Sequence, residues 1–181
     1  GASSNNVIRA NTAFGNQDSG IQVYNGSNGN LVVRNVSFGN GDHGFDTNHA
    51  TGTSYVSNTS CRNTKDGFSV EGGSTDTRLV DNIAVDNGLA TGEFDLYVDP
   101  LSVTGLLSDY NILWKSSPGT VVKHGGVLYP RIEDLRAATG QETHGIGSDP
   151  HFADVASGDL HLAPGSPAID SADASDAGFL Q

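Results

Sequence analysis

An asparagine recurs at Asn11, Asn35, Asn58 and Asn82, in steps of 24, 23 and 24 residues. A second follows at Asn16, Asn40, Asn63 and Asn87, and Gly20, Gly44 and Gly67 keep the same phase. A fixed period within roughly 20–50 residues marks a repeat architecture, and it limits the folds open to the chain. Laid in register, the repeats show apolar columns, such as Ile8, Val32, Tyr55 and Leu79, or Phe14, Phe38, Cys61 and Val85. After each glycine comes a short run, Ile21-Gln22-Val23, Phe45-Asp46-Thr47 or Phe68-Ser69-Val70. Alternating runs rich in β-branched and aromatic residues, broken by Gly, Asn and Asp, read as strands. No repeat window has helical spacing. Each repeat therefore predicts about three short strands joined by tight turns.

Two solenoids fit this period. Leucine-rich repeats need several leucines per repeat, and here only Leu31 and Leu79 fall on ladder positions. A parallel β-helix fits better, because its coils stack about 4.8 Å apart and place equivalent residues above one another. A stacked amide can donate to one neighbour and accept from the other. That removes most of the ~1–3 kcal/mol cost of burying an unpaired amide. The asparagine is expected to take up the left-handed backbone of the corner itself, and the glycine to supply freedom at a third corner. Cys61 reads as a small core residue.

From about Gly88 the register loosens. The stretch YPRIEDLRAATGQ predicts one short helix after Pro130, ended by Gly140. The predicted organisation is all-β: parallel β-helix coils over residues 1–114, then a loop-rich cap over 115–181 that contains the helix. A cap is needed because an uncovered last strand invites pairing with other chains. The first coil carries no such cover in the sequence, so an upstream domain or a partner is expected over it.

Composition narrows the partners. The 181 residues carry a net charge of −12, which argues against nucleic acid, since nothing would neutralise the phosphates. No apolar run is long enough to cross a bilayer. One cysteine excludes a disulfide framework and a thiolate zinc cluster. The chain has no methionine and reads as a mature or trimmed product. An extracellular setting, secreted or on a cell surface, is the expectation.

The N-x4-N-x3-G coils over about residues 5–98, with the tail DPHF…GDLHLAPGSPAID, resemble the right-handed parallel β-helix superfamily in its broad pectate-lyase-like sense. That superfamily holds lyases, epimerases, hydrolases, tailspikes and surface proteins, so the fold alone does not choose among them. The resemblance implies a polysaccharide groove on one outward sheet. Stacking supplies its columns: Asp18, Asp42 and Lys65; Ser19, His43 and Asp66; Gln22, Asp46, Ser69 and Asp95; Tyr24, Asn48, Glu71 and Tyr97.

An enzyme that removes the C5 proton of a uronate needs a base, a proton donor and a cation beside the substrate carboxylate. Lys65, His43 and Asp46 are the candidate catalytic residues, with Lys65 or His43 as base. Asp18, Asp42 and Asp66 are candidates to hold calcium, the expected cofactor, which would bridge acidic protein and acidic sugar. Tyr24, Asn48, Glu71, Asp95 and Tyr97 are candidate substrate contacts. HGFDTNH resembles the epimerase signature Y-G-F-D-P-H at Gly44, Phe45 and Asp46, with His43 in place of the tyrosine, Thr47 in place of the proline and His49 one residue late. Lys65-Asp66 near Asp42 resembles, in composition, the lysine base and calcium site of one pectate-lyase family. Polygalacturonase signatures are absent.

Bland readings compete. Asp42 and Lys65 make a plausible surface ion pair between coils, worth under about 1 kcal/mol. His144, His151 and His161 fit no compact metal motif and read as structural. Two functions therefore stand: a lyase or epimerase on an acidic polysaccharide, and a non-catalytic β-helix module for polysaccharide binding, adhesion or surface structure.

Overall fold

The computed structural model describes residues 2–175. Each coil gives one strand to each of three parallel sheets. The first sheet holds β1 (Val7–Arg9), β4 (Leu31–Val33), β7 (Ser54–Val56), β10 (Arg78–Val80) and β13 (Leu107–Asp109). The second holds β2 (Thr12–Phe14), β5 (Val36–Phe38), β8 (Thr59–Cys61), β11 (Ile83–Val85) and β14 (Ile112–Trp114). The third holds β3 (Ile21–Tyr24), β6 (Phe45–Asn48), β9 (Phe68–Glu71), β12 (Leu96–Val98) and β15 (Val122–His124), and is extended by antiparallel β16 (Val127–Tyr129). The predicted fold class is the observed one.

The core is a column of like residues. Phe45 stacks on Phe68 at 4.8 Å between centroids, and the Tyr55 ring meets both edge-on. Offset stacks and edge contacts are the favourable aromatic geometries. Cys61 is buried, and burial pushes its thiol up to about 12, as suits a packing residue rather than a nucleophile.

The asparagine ladders are continuous. In one, Asn35 gives its backbone N–H and its Nδ2 to Asn58 Oδ1, at 2.9 and 3.0 Å. Asn58 does the same to Asn82, and Asn82 to Asn111. The spare Nδ2 hydrogen of Asn58 goes back to Val32 O at 2.8 Å. The second ladder runs from Asn16 through Asn40 and Asn63 to Asn87. A short third one, Asn6 on Asn30, lies outside the sequence columns.

Two details of the corners differ from expectation. The left-handed residue is not the asparagine but the one before it: Ala10, Arg34, Ser57, Asp81 and Tyr110, with φ between 54° and 60°. The neighbour takes the strained turn so that the amide can point inward. Gly20, Gly44 and Gly67 have no left-handed backbone at all. A Cβ on Gly44 would lie 2.1 Å from Ser60 Oγ and 2.6 Å from Asn63 Nδ2. The glycine there makes room for the serine–asparagine contact beneath it.

The parallel stack runs on through β15, inside the segment expected to be cap. Helix α1 (Ile132–Thr139) buries Ile132 and Leu135, and Gly140 ends it at φ 75° with its N–H on Arg136 O. Residues 141–146 then cover the last strands of the first two sheets, with Glu142 N–H on Ser108 O and Ile146 bridged to Ile112, whereas the tail beyond them runs down the side. The hairpin of β17 (Phe152–Asp154) and β18 (Asp159–Leu162) brings Gly158 near the Phe38 ring on the second sheet. Residues 176–181, the close of the expected cap, lie outside those described.

Removing one internal rung should be costly. Asn58→Ala leaves the Asn35 backbone N–H without its acceptor and removes three further bonds, from Asn35 Nδ2 and to Asn82 Oδ1 and Val32 O. Urea unfolding is expected to show a loss of about 2–3 kcal/mol. Asn11→Ala, an exposed rung, should lose under about 1 kcal/mol in the same measurement.

Candidate functional site

The outward face of the third sheet carries a groove of about 440 Å³. Its floor is a column set by strand register, Gln22, Asp46 and Tyr97, with the buried Ser69 between the last two. Phe45 and Thr47 point into the core on either side of Asp46, and Thr47 bonds the Tyr55 hydroxyl at 2.6 Å. The alternation of β6 thus delivers Asp46 to the groove. Beside the floor, the turn residues Asp42-His43 and Lys65-Asp66 stack one coil apart, tied by Lys65 N–H to Asp42 O and Gly44 N–H to Asp66 O.

His43 and Asp66 form a buried pair on this face, and His43 Nδ1 lies 3.2 Å from Asp66 Oδ2. Asp66 Oδ1 is held in turn by the Phe94 N–H at 2.8 Å. The Asp66 N–H also approaches His43 Nδ1, at 3.2 Å. Nδ1 can accept from that N–H, or carry the proton and donate to Oδ2. The charged acceptor makes the stronger bond and favours the tautomer that leaves the Nε2 lone pair free. On the Nε2 side, Asp42 Oδ1 stands 3.5 Å away. Burial alone would lower the His43 pKa, but the Asp66 hydrogen bond and the charges of Asp66, Asp42 and Asp46 outweigh it and raise it.

Asp46 is almost wholly buried. Its Oδ2 accepts from Gln22 Nε2 at 2.5 Å. Its Oδ1, like the Ser69 Oγ in the same column, has no protein partner. Burial, aided by Glu71 and Asp42, pushes its carboxyl up to about 6 against the Gln22 bond and His43. Lys65 Nζ is 2.8 Å from Asp42 Oδ1, and that hydrogen bond raises the lysine's pKa. An ammonium held charged in this way suits a fixed cation better than a base.

Of the sequence candidates, His43, Asp46, Lys65, Asp42, Asp66, Asn48, Glu71 and Tyr97 line the groove. Asn48 Nδ2 donates to Glu71 Oε1 at 2.8 Å. Tyr97 sits one column over from its expected place, aligned with Ser69 rather than Glu71. Tyr24 stands apart, edge-on to His49. Asp95 is not a surface residue. It is fully buried, and its Oδ1 accepts from Asn87 N and Nδ2 as the last member of the second ladder. Its alignment with Gly67 rather than Ser69 turns it inward.

The expected calcium ligands do not converge. Asp18 is exposed, with Oδ1 on the Ser19 N–H. Asp66 spends both oxygens within the protein, and Asp42 faces Lys65 and His43. Among the described residues no group of three or more His, Cys, Asp or Glu is arranged to hold a metal. Asp18, Asp42 and Asp66 thus stand at separate places, each with its own protein partner.

Sequence columns missed Glu93, Phe94 and Lys123, which also line the groove. Lys123 Nζ lies 5.7 Å from the Phe94 centroid and 5.4 Å from that of Tyr97. These residues belong to coils with no Asn–Gly beat, and it is the register of β12 with β15 that sets Lys123 beside Tyr97.

A family model described as a right handed beta helix region matches residues 1–106. No curated protein and no solved structure matches the chain. Among the described residues no helix is long and apolar enough to cross a membrane.

The raised Asp46 carboxyl has a sign-determined consequence. A group whose pKa is higher folded than unfolded stabilises at low pH. Its contribution is full below the model-compound value of 3.8 and is lost as pH rises through about 6. The thermal midpoint should fall across about pH 4–7, and Asp46→Asn should flatten that slope. An unchanged slope would place the titration elsewhere.

Proposed function

We propose that this chain, which belongs to the right-handed β-helix family, acts as a lyase or epimerase on an acidic polysaccharide laid across the groove. The observation that carries this is the buried His43–Asp66 pair in the wall of an open groove that Lys65, Tyr97 and Lys123 also line. An orienting carboxylate behind an imidazole is the usual means of fixing a general base.

His43, with Nδ1–H on Asp66, takes the C5 proton at Nε2. Tyr97 is the fitting proton donor. Burial first, then Asp99 and Glu71, raises its pKa and keeps it protonated, and it occupies the role left open where His43 replaces the signature tyrosine. Lys65 and Lys123 neutralise the substrate carboxylate, whose negative charge grows on the adjacent carbon as the proton leaves. Lys123 pairs with no carboxylate among the described residues. A protonated Asp46 repels the polyanion less. A polymeric substrate goes with an extracellular setting.

Ultraviolet absorbance of unsaturated products on pectate, alginate and glycosaminoglycans, with proton exchange at C5 read by NMR, tests this reading. His43→Ala should lower kcat about 10²–10⁴-fold. Asp66→Asn should lower the rate and also shift the rising limb of the pH profile to lower pH, because the group that raises the His43 pKa is gone. Lys123→Ala should raise KM and lower kcat together, because the charge it meets is present on the bound substrate and grows in the transition state. Saturable binding with neither product nor exchange would instead assign a non-catalytic binding module.

A further inference from the structure

A second buried charge cluster lies away from the groove chemistry, where the last coil closes. Lys115 follows β14, yet its side chain is only 4% exposed, and Nζ lies 3.8 Å from Oδ2 of Asp95, whose side chain is 0% exposed. Nζ also donates to the main-chain carbonyl of Asn87. Asp95 Oδ1 is fixed by two donors, Asn87 N at 3.0 Å and Nδ2 at 2.9 Å. Asp95 Oδ2 has no hydrogen-bond partner. Nearby Asp86 is held by the N–H and hydroxyl of Ser116, at 2.7 and 3.0 Å.

We propose that Lys115 and Asp95 join in an intramolecular isopeptide bond between Nζ and the Asp95 carboxyl carbon, with release of one water. The geometry divides the two carboxyl oxygens by role. Oδ1, under two N–H donors, is the oxygen that holds negative charge as the amine adds, as in an oxyanion site. Oδ2, bare and facing the amine, is the one that leaves. The Asn87 carbonyl orients Nζ.

The atoms balance without a co-reactant. Moving one proton from the ammonium to the carboxylate turns the ion pair into a neutral amine and a neutral acid. The amine nitrogen bonds to the carboxyl carbon and loses one proton. Oδ2 gains that proton and departs as water. Burial pushes the Asp95 carboxyl up to about 7, against Lys115 and the Asn87 bonds, so a substantial part is the electrophilic acid at neutral pH. Holding both groups together in a water-poor site supplies the effective concentration that free amines and acids lack. The product ties the corner before β12 to the loop after β14 and clasps the last coil onto the stack.

Intact-mass measurement on the denatured full chain, after storage at neutral pH, is the test. The expected mass is one water below that of the sequence, with a branched peptide joining residues 95 and 115 in a digest. Lys115→Arg keeps the charge but cannot form the link, and should show its full sequence mass. Asp95→Asn should form the same link by releasing ammonia, and so reach the linked wild-type mass. A wild-type chain at full sequence mass, with no branched peptide, overturns the proposal. That result needs no variant to fold.

Discussion

Everything in this fold depends on one bond pattern: an asparagine oxygen that accepts twice from the asparagine one coil back. The pattern has a direction. Each rung supplies the acceptor for the rung before it, so the final rung needs an acceptor that the repeat cannot provide. Both long ladders solve this with a buried carboxylate. Asn111 gives its side chain to Glu142 Oε1 at 2.7 Å, and Asn87 gives its own to Asp95 Oδ1. A carboxylate has two oxygens and no donor, which is what a column ending in N–H groups requires. The acidic character of the last coil is thus a consequence of the amides below it.

The same ladder places the groove. Asn63 bonds Ser60 Oγ, Ser60 bonds the Gly67 carbonyl, and Gly44 must pass above them without a side chain. With Asn40 and Gly44 both pinned, the short connection between them bulges outward and carries Asp42 and His43. One coil on, Asn63 and Gly67 do the same for Lys65 and Asp66. Coil stacking then brings His43 into contact with Asp66 and Asp42 into contact with Lys65. The charged face is held by amide geometry in the core rather than by its own ion pairs, which at an exposed edge are worth only about 0–1 kcal/mol.

This explains what could be read from the sequence. Wherever the beat holds, position in the repeat is position in space, so the pairing of His43 with Asp66 and the outward face of Asp46 were legible. Roles within a column were harder, because they depend on hydrogen-bond direction. Asp42, Asp46 and Asp66 look alike in sequence, yet one meets a lysine, one a glutamine and one a histidine. The left-handed corner was placed one residue late, since asparagine's own turn preference masks its use as an inward amide. Beyond Asn87 the step to the next rung grows, with Asn82 and Asn111 separated by 29 residues. Column counting fails there: it turns Asp95 outward and does not reach Lys123.

The two ladder ends differ in a way that matters chemically. Glu142 is completed by neutral and backbone donors: Ser108 Oγ at 2.5 Å, Asn111 N at 3.2 Å and Asn111 Nδ2. Both of its oxygens are engaged, and it needs no counter-charge. Asp95 has the same burial but only one engaged oxygen, and the remaining one faces Lys115 across 3.8 Å. A buried charge pair at that separation recovers little of its desolvation cost as an ion pair. Proton transfer within the pair removes both charges, and condensation removes the unmatched oxygen as well. The incomplete terminator is therefore the more reactive one, and its reactivity follows from ending a column of amides where only one carboxylate oxygen can be used.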